Sequence, residues 1–318
     1  MDIYLYEAGE LIYDEGIKYI TDKDTLVIPS LTTSNIFILS KNIKLDSNVI
    51  LKLSSLKINL FVFDPKNNNY SFLSNNYSNG LNTINESKCY LDNNIRLYIS
   101  KQILLSTFNN MLNILSYYKI EDDLMNKLVN DIDSINDINS LLILEARIRK
   151  RYYSHFNEII NNNDFKFNKR TFHPAKDEIN ILLSFGNSLL YKDCLINILN
   201  VNLNPRISYL HSSNDRVTSL EYDISEIYKP IIVDRCIFTC INKKIITKDD
   251  FVIKDNTIYL KHDAKNKFIE QYHKKLQSSL VINNKRITYK ELIKRDCIEL
   301  KKYVCNKIEE LDFYQTRW

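Results

Sequence analysis

The chain has 318 residues, of which 44% are hydrophobic and 26% are charged, and its formal net charge is +4. This composition excludes a disordered chain, and the mild net charge means that basic residues must be concentrated locally if the protein is to bind nucleic acid. No run approaches the roughly 20 apolar residues of a membrane span and the N-terminus lacks the layout of a signal peptide, so we expect a cytoplasmic protein without a membrane partner.

The first part of the chain has the pattern of a small β domain. Short runs of β-branched and aromatic residues alternate with turn signals such as Asp64-Pro65 and Asn79-Gly80. One segment, Val49–Leu56, has the spacing of a short helix. We therefore predict a sandwich-like β domain over residues 1–73 and a polar linker over residues 74–85. The predicted strands are Ile3–Tyr6, Lys18–Ile20, Leu26–Ile28, Ile36–Leu39, Ile43–Leu45 and Ile58–Phe63.

After the linker, apolar residues recur every three to four positions, which indicates helices. Phe251–Leu260 is the exception, because Asp255-Asn256 at its centre favours a small hairpin. Cys236 and Cys240 share one face of an apolar helical run and are predicted to be buried thiols. We predict an α+β protein in which residues 86–318 form a larger, all-α catalytic domain. The predicted helices are Arg96–Tyr118, Ser140–Ile160, Asp177–Leu199, Ser219–Ile245, Asp263–Leu280 and Tyr289–Val304.

Acidic and imidazole side chains stand in distinctive contexts in this helical part. Glu145 lies midway along an amphipathic helix, and His211 precedes the polar turn Ser212–Asp215. Asp223 and Glu226 are spaced i, i+3, so their side chains project from one helix face. Two carboxylates and an imidazole suit a hard divalent cation such as Mg²⁺ or Mn²⁺.

Each of these residues also has an ordinary structural interpretation. Glu145 and Arg149 have the i, i+4 spacing of a surface ion pair, Asp223 and Glu226 are compatible with a solvated helix face, and a lone histidine such as His211 is usually structural. The neighbourhood favours function, because basic residues outnumber acids from residue 145 to 176 and are interleaved with aromatic ones. The predicted DNA-binding residues are Arg149, Lys150, Arg151, Lys169 and Arg170.

Four segments of the chain carry distinctive patterns. They are YLYEAGELIYDEG near the N-terminus, KRTFHPAKDEINILLSFGNSLLY (169–191), LNPRISYLHSSNDRVTSLEYDISEIYKPIIVDR (203–235) and DNTIYLKHDAKNKFI (255–269). These segments resemble the CRISPR-associated spacer-acquisition integrases, the "Cas-one" endonuclease family, and the resemblance runs nearly end to end. The pattern is most similar to the bacterial branch linked to type I systems.

The resemblance implies a β domain followed by a helical domain, and a Mg²⁺ or Mn²⁺ site made by Glu145, His211 and Glu226. Asp223 matches a further acidic position beside that site, and we count all four residues as catalytic. Relatives often carry aspartate in place of Glu226 and usually carry glycine where Ala146 stands. The family is also expected to form homodimers that clamp a small companion protein of the "Cas-two" type.

The implied reaction is DNA integration. The 3′-OH of a captured DNA fragment attacks a phosphodiester at the CRISPR repeat, which exchanges one ester for another and needs no ATP. Three alternatives stay open at this stage. The first is a transposon integrase with the same site, the second a non-catalytic DNA-binding scaffold, and the third a metal nuclease that cleaves without joining.

Overall fold

The computed structural model of the protein describes residues 2–40, 42–64, 69–73, 80–171, 175–211, 218–254, 257–282 and 284–316. By their internal contacts the residues form two units, 1–77 and 78–318. Part of the predicted linker (74–79) and the predicted turns at Pro65, 212–215 and 255–256 lie outside the described residues.

Two four-stranded sheets form the first unit. One has the order β1-β5-β7-β8, with β8 antiparallel and the other pairs parallel, and the second has the order β4-β3-β2-β6, in which only β2 and β6 run parallel. The core combines both sheets with one helix. The elements are β1 (Asp2–Leu5), β2 (Gly9–Tyr13), β3 (Ile17–Ile20), β4 (Thr25–Ile28), β5 (Asn35–Ile38), β6 (Ile43–Leu45), α1 (Ser47–Ser55), β7 (Asn59–Asp64) and β8 (Asn69–Leu73).

Side chains alternate between the two faces of the β1-β5-β7-β8 sheet, and the two faces carry different types of residue. Leu5, Ile36 and Leu60 point into the core with Val49 and Leu53 of α1. The opposite face carries a row of aromatic rings, each 4.8–6.3 Å from the next. Four of them are in register across the strands, and the row ends in the exposed Tyr4 and, just after β1, the exposed Tyr6. The row consists of Tyr6, Tyr4, Phe37, Phe61 and Phe72.

The second unit is mainly helical, with two small hairpins. A π-helical turn (Lys229–Asp234) joins two of its helices. The elements are α2 (Gly80–Leu91), α3 (Asn93–Tyr117), α4 (Asp123–Asn130), α5 (Ile138–Ser154), α6 (Phe156–Ile159), α7 (Glu178–Asn200), α8 (Leu220–Tyr228), α9 (Arg235–Asn242), β9 (Phe251–Lys254), β10 (Thr257–Leu260), α10 (His262–Gln277), β11 (Ser279–Ile282), β12 (Lys285–Thr288) and α11 (Tyr289–Val304).

Carboxylate caps set the starts of several helices. Asp92, Asp122, Asp137 and Asp177 each accept a backbone N–H from the first turn that follows, which satisfies donors that have no partner inside the helix. At the centre lie α7, α8 and the π-helical turn, whose side chains are mostly buried. A helix that is apolar on most sides belongs in a core, and α7 is therefore placed where it contacts α8 and α11.

The predicted order, a small β unit followed by a mainly helical one, is confirmed. The short helix at residues 47–55, the hairpin β9–β10 and the last helix also agree with the prediction. Pro230 falls in the π-helical turn, so the predicted helix Ser219–Ile245 is divided there. Cys236 and Cys240 are buried free thiols, as predicted.

Several predictions were wrong. Residues 80–85, assigned to the linker, begin helix α2, which buries Asn82, Glu86 and Cys89 and therefore lacks an apolar period. Strand β2 was not predicted, because only Leu11 in it is buried. Helix α4 was not predicted either, because it has only 8 residues. The predicted helix Asp263–Leu280 ends at Gln277, and a second hairpin follows, with Asn284 in the left-handed region (φ 63°) beside the turn.

Gly186 of α7 lies where no side chain fits. A Cβ there would approach Val233 Cγ1 to 2.6 Å and Phe268 Cζ to 3.1 Å. We expect Gly186→Ala to lower the free energy of unfolding by about 1–3 kcal/mol, because overpacking outweighs the better helix propensity of alanine. Urea denaturation measures the change. Gly80→Ala is the matched control, since nothing lies within 4 Å of that Cβ, and equal effects of the two changes would contradict the packing argument.

Candidate functional site

Helix α5 carries the first carboxylate. Its buried face consists of Leu141, Leu144, Ile148 and Tyr152, which recur at helical spacing and anchor the helix against the core. Glu145 lies next to that stripe, and 19% of its side chain is exposed. The residue is therefore held at the rim of the core, where a carboxylate keeps contact with solvent.

Helix α8 carries the second carboxylate, and here the surroundings are buried. Only 5% of the Glu226 side chain is exposed, and both of its oxygens bind cations. Lys229 Nζ donates to Oε1 at 2.5 Å and Arg149 Nη2 donates to Oε2. Burial opposes ionisation of Glu226, but the two cations outweigh it and lower its pKa to about 2.

Arg149 joins the two carboxylates. Its Nε donates to Glu145 Oε1 at 2.5 Å while its Nη2 reaches Glu226, so the guanidinium bridges α5 and α8. The ion pair between Glu145 and Arg149 that the i, i+4 spacing allowed is therefore present, and it is also part of a larger network. Burial opposes the charge of Arg149, yet the neighbouring Glu226 and Glu145 raise its pKa well above the usual value.

Asp223 holds the histidine. Its fully buried carboxylate accepts the backbone N–H groups of Tyr209 at 2.6 Å, Leu210 at 3.0 Å and His211 at 3.1 Å. It also accepts the His211 ring Nδ1–H at 2.7 Å, since an ionised carboxylate can only accept. The ring orientation is thereby set and Nε2 is left as the basic nitrogen. This is the arrangement that orients histidine ligands of metals.

Neighbouring charged groups also shift the pKa of His211. Burial lowers the pKa of the imidazole, but the hydrogen bond and charge of Asp223, together with the charge of Glu226, raise it above its usual value. The charge of His211 in turn lowers the pKa of Glu226, so each group favours the charged form of the other. An aromatic wall lies alongside, in which Tyr222 contacts both His211 and Tyr191, and Lys229 lies 5.1 Å from the Tyr191 ring centre.

The predicted DNA-binding residues fall into two groups. Lys150 and Lys169 are exposed. The three arginines engage protein groups: Arg149 binds Glu145 and Glu226, Arg151 donates to the buried Asp122 at 2.6 Å, and Arg170 donates to residues of α7 and the segment before it. Their guanidinium groups therefore have internal partners, which the basic pattern of the sequence did not reveal.

Two further charged residues lie near the site, of which Lys229 was missed by sequence reasoning. Lys229 is buried against Glu226, and the only signal for it was its i, i+3 spacing from that glutamate. Asp234, at the end of the π-helical turn, is buried near Arg149 and Arg170; burial raises its pKa to about 7 although these cations oppose the shift. Both residues belong to the π-helical turn Lys229–Asp234, which also contains Pro230.

The site offers the donor types of a divalent-metal centre but not an assembled one. Within the part of the chain that is described, no three His, Cys, Asp or Glu side chains converge as ligands of one ion. Carboxylate oxygens are the donors that Mg²⁺ and Mn²⁺ prefer, whereas a neutral imidazole nitrogen is a better ligand for later transition-metal ions. The Arg149 guanidinium lies between the two carboxylates, so a metal bound by both would have to share or take that position.

The buried ion network predicts a pH dependence. The pKa of Glu226 is lower in the folded protein than the ordinary value of 4.5, so its stabilising effect is present above about pH 4.5 and is lost as the pH falls towards 2. We expect the wild type to lose on the order of 1–3 kcal/mol more stability over this range than Glu226→Gln does. Urea denaturation at pH 6, 4 and 3 gives the difference, and parallel curves for the two proteins would contradict the assignment.

Comparisons with known proteins agree with this architecture. The family model described as CRISPR associated protein Cas1 matches residues 3–274. A CRISPR-associated endonuclease Cas1 from Clostridium perfringens is 32% identical over 317 residues, which cover 94% of each chain. The structure of a CAS1 protein from Thermotoga maritima superposes with a TM-score of 0.84 at 27% identity, over 96% of this chain and 98% of that one.

Two more distant structures share the fold. A casposase bound to integration product gives a TM-score of 0.82 at 23% identity, over 98% of this chain and 92% of that one. A chain of a Cas6-RT-Cas1–Cas2 complex gives 0.77 at 19% identity, over 96% of this chain and 35% of that one. Within the described residues, none of the helices has the length and apolar character needed to cross a bilayer. The family match and the relatives together show that the chain belongs to the CRISPR-associated Cas1 family.

Proposed function

We propose that this protein is a metal-dependent DNA endonuclease and integrase of CRISPR adaptation. It joins the 3′-OH of a captured DNA fragment to a phosphodiester at the CRISPR repeat by transesterification, without ATP. One observation carries the proposal: Glu145, Glu226 and His211, from three separate segments, are linked by Arg149 and by mutual electrostatics into one polar cluster. The name of the Clostridium perfringens relative, an endonuclease, supports the same class of activity.

Each residue has a defined role in this proposal. Glu145, Glu226 and His211 Nε2 would hold Mg²⁺ or Mn²⁺, which supplies Lewis acidity for a phosphodiester and lowers the pKa of an attacking hydroxyl. Asp223 keeps the proton on His211 Nδ1, so that Nε2 stays available. Lys229 keeps Glu226 ionised by binding its other oxygen. We place Asp223 beside the ligands, as a positioning residue.

DNA contact is proposed for the cluster and its basic surroundings. Lys150 and Lys169 are exposed and carry the proposal of phosphate contacts most directly. Arg151 and Arg170 are tied to protein groups, and we propose that they mainly support the surface beside the site. The Arg149 guanidinium neutralises the carboxylates of Glu145 and Glu226. Contact between Arg149 and a scissile phosphate therefore requires that the guanidinium leave one of these carboxylates.

Two protein partners complete the proposal. A companion of the Cas2 type is supported by the solved Cas6-RT-Cas1–Cas2 complex, whose chain shares this fold. We also propose a homodimer. The aromatic row from Tyr6 to Phe72 on the first unit supports this proposal, because a stacked, partly exposed apolar row is a surface that a second copy can cover.

Transposon-end integration is the second candidate, because a casposase shares the fold over almost the whole chain. Both activities would use the same cluster, so the DNA substrate separates them. The test presents a supercoiled plasmid bearing a CRISPR repeat together with labelled duplexes, one a generic fragment and one a transposon end. Mg²⁺ or Mn²⁺ and the Cas2-type protein are added.

We expect joining of the generic fragment at the repeat border. Joining that requires the transposon end would favour the second candidate. Cleavage without any joined product would indicate a nuclease that does not integrate DNA. DNA binding without cleavage or joining would indicate a non-catalytic DNA-binding scaffold.

A further inference from the structure

A basic pocket lies at the end of α7, within the second unit. Its volume is about 720 Å³, and its walls come from α2, the end of α7 and α11. Among its described lining residues four are lysines and none is acidic, whereas the whole chain has a net charge of only +4. The four are Lys294, Lys301, Lys302 and Lys307.

Hydrogen bonds between the three elements fix the walls of this pocket. Lys301 Nζ donates to the carbonyl of Val201 at 2.8 Å and so ties α11 to the end of α7. The Asn82 carboxamide of α2 donates to the carbonyl of Asn202 at 3.2 Å and lies 3.5 Å from Cys305 Sγ. The pocket is therefore preformed, which lowers the entropic cost of binding a ligand there.

The chemistry of the lining defines the ligand class. Ammonium groups pair with phosphates, carboxamides donate to phosphate and sugar oxygens, and Leu81, Val201 and Ile298 offer apolar contact. Lys294, Lys302 and Lys307 are exposed and can reach a strand passing over the pocket. Lys302 Nζ lies 3.6 Å from a carboxylate oxygen of Glu299, so it would exchange that partner for a phosphate. The lining suits the sugar–phosphate backbone of a nucleic acid.

Helix α7 connects this pocket to the proposed catalytic cluster. Tyr191 of α7 contacts Lys229 and Tyr222 of the cluster, while Val201 borders the pocket. The two positions are about ten residues apart, or roughly 15 Å along a helix that rises 1.5 Å per residue. A DNA strand advances about 3.4 Å per nucleotide, so a strand running along α7 would span about four to five nucleotides between these two positions.

We propose that this lysine pocket is a second binding site for the backbone of the DNA strand engaged at the Glu145–His211–Glu226 cluster. It would hold the strand about four to five nucleotides from the reacting phosphate. The inference rests on the proposed function, because it assumes that DNA is the substrate. It assigns to α11 a role in substrate binding that is separate from the carboxylates and the histidine.

The test compares two triple variants with equal charge. Lys294→Gln/Lys302→Gln/Lys307→Gln removes the three exposed positive charges of the pocket. Lys301 is kept because it donates a hydrogen bond to the Val201 carbonyl. Lys243→Gln/Lys265→Gln/Lys285→Gln removes three exposed lysines elsewhere. Binding of a short fluorescein-labelled duplex is measured by anisotropy over a KCl series, after thermal unfolding has shown that all three proteins fold alike.

We expect the pocket variant to lower the slope of log affinity against log salt by about 2 to 3, since each phosphate contact contributes about 0.9. It should also raise the DNA concentration for half-maximal joining while leaving the rate at saturating DNA unchanged. The control variant should keep the wild-type slope. Equal slopes for both variants would overturn the inference alone, whereas a wild type that binds no DNA would overturn the proposed function as well.

Discussion

Replacing any one of Glu145, His211 and Glu226 should reduce DNA cleavage and joining by about 100-fold or more. Loss of an outer partner of a metal ligand already costs about 10–100-fold, so loss of a ligand itself should cost at least the upper end of that range. The variants Glu145→Gln and Glu226→Gln keep the volume of each side chain, and His211→Ala removes the imidazole donor. Joining is measured as labelled product in supercoiled repeat-bearing DNA, with Mn²⁺ and the Cas2-type protein present.

A graded control separates ligands from residues that orient them. Asp223→Asn should lower activity by about 10–100-fold, because the amide keeps only one acceptor oxygen for the four N–H groups that Asp223 binds, so the His211 ring is held less firmly while it keeps its nitrogen donor. Glu270→Gln on α10 makes the same chemical change at an exposed surface pair and should leave activity unchanged. Wild-type activity in Glu145→Gln or Glu226→Gln would withdraw that residue from the proposed metal site.

The second large effect concerns stability. Glu226→Ala should lower the free energy of unfolding by about 3–5 kcal/mol, because it leaves the buried cations Arg149 and Lys229 without their shared carboxylate. Glu226→Gln should cost less, since its amide oxygen can still accept from one of them. Urea denaturation at neutral pH gives both values.

A double-mutant cycle tests the physical cause. Lys229→Met removes one of the stranded cations, so Glu226→Ala should be less damaging in that background than in the wild type. Additive effects of the two changes would mean that the ion pair contributes nothing and that the loss comes from packing alone. The stability measurement is independent of DNA and of metal, and it therefore tests the geometry rather than the activity.

Local patterns in the chain were enough to predict the order of the two units and many elements. Helix α11 illustrates why, since its period, its Thr288 capping box and its bounds are all encoded within a short stretch. Helix α2 illustrates the limit, because its buried face carries Asn82 and Glu86, whose partners are the backbone of Asn202 and Asn204 more than 100 residues away. Polar burial of this kind leaves no apolar period to detect.

The sequence by itself determined the candidate acids and the histidine, because the residue types and the i, i+3 spacing of Asp223 and Glu226 are local properties. Only the tertiary structure decided what surrounds them. Arg149 reaches Glu226 across 77 positions of chain, and Asp223 folds back on the turn that carries His211. Such pairings depend on how α5, α8 and the 209–211 turn pack together. The same packing places Arg149, which the sequence predicted as a DNA contact, between the carboxylates of Glu145 and Glu226.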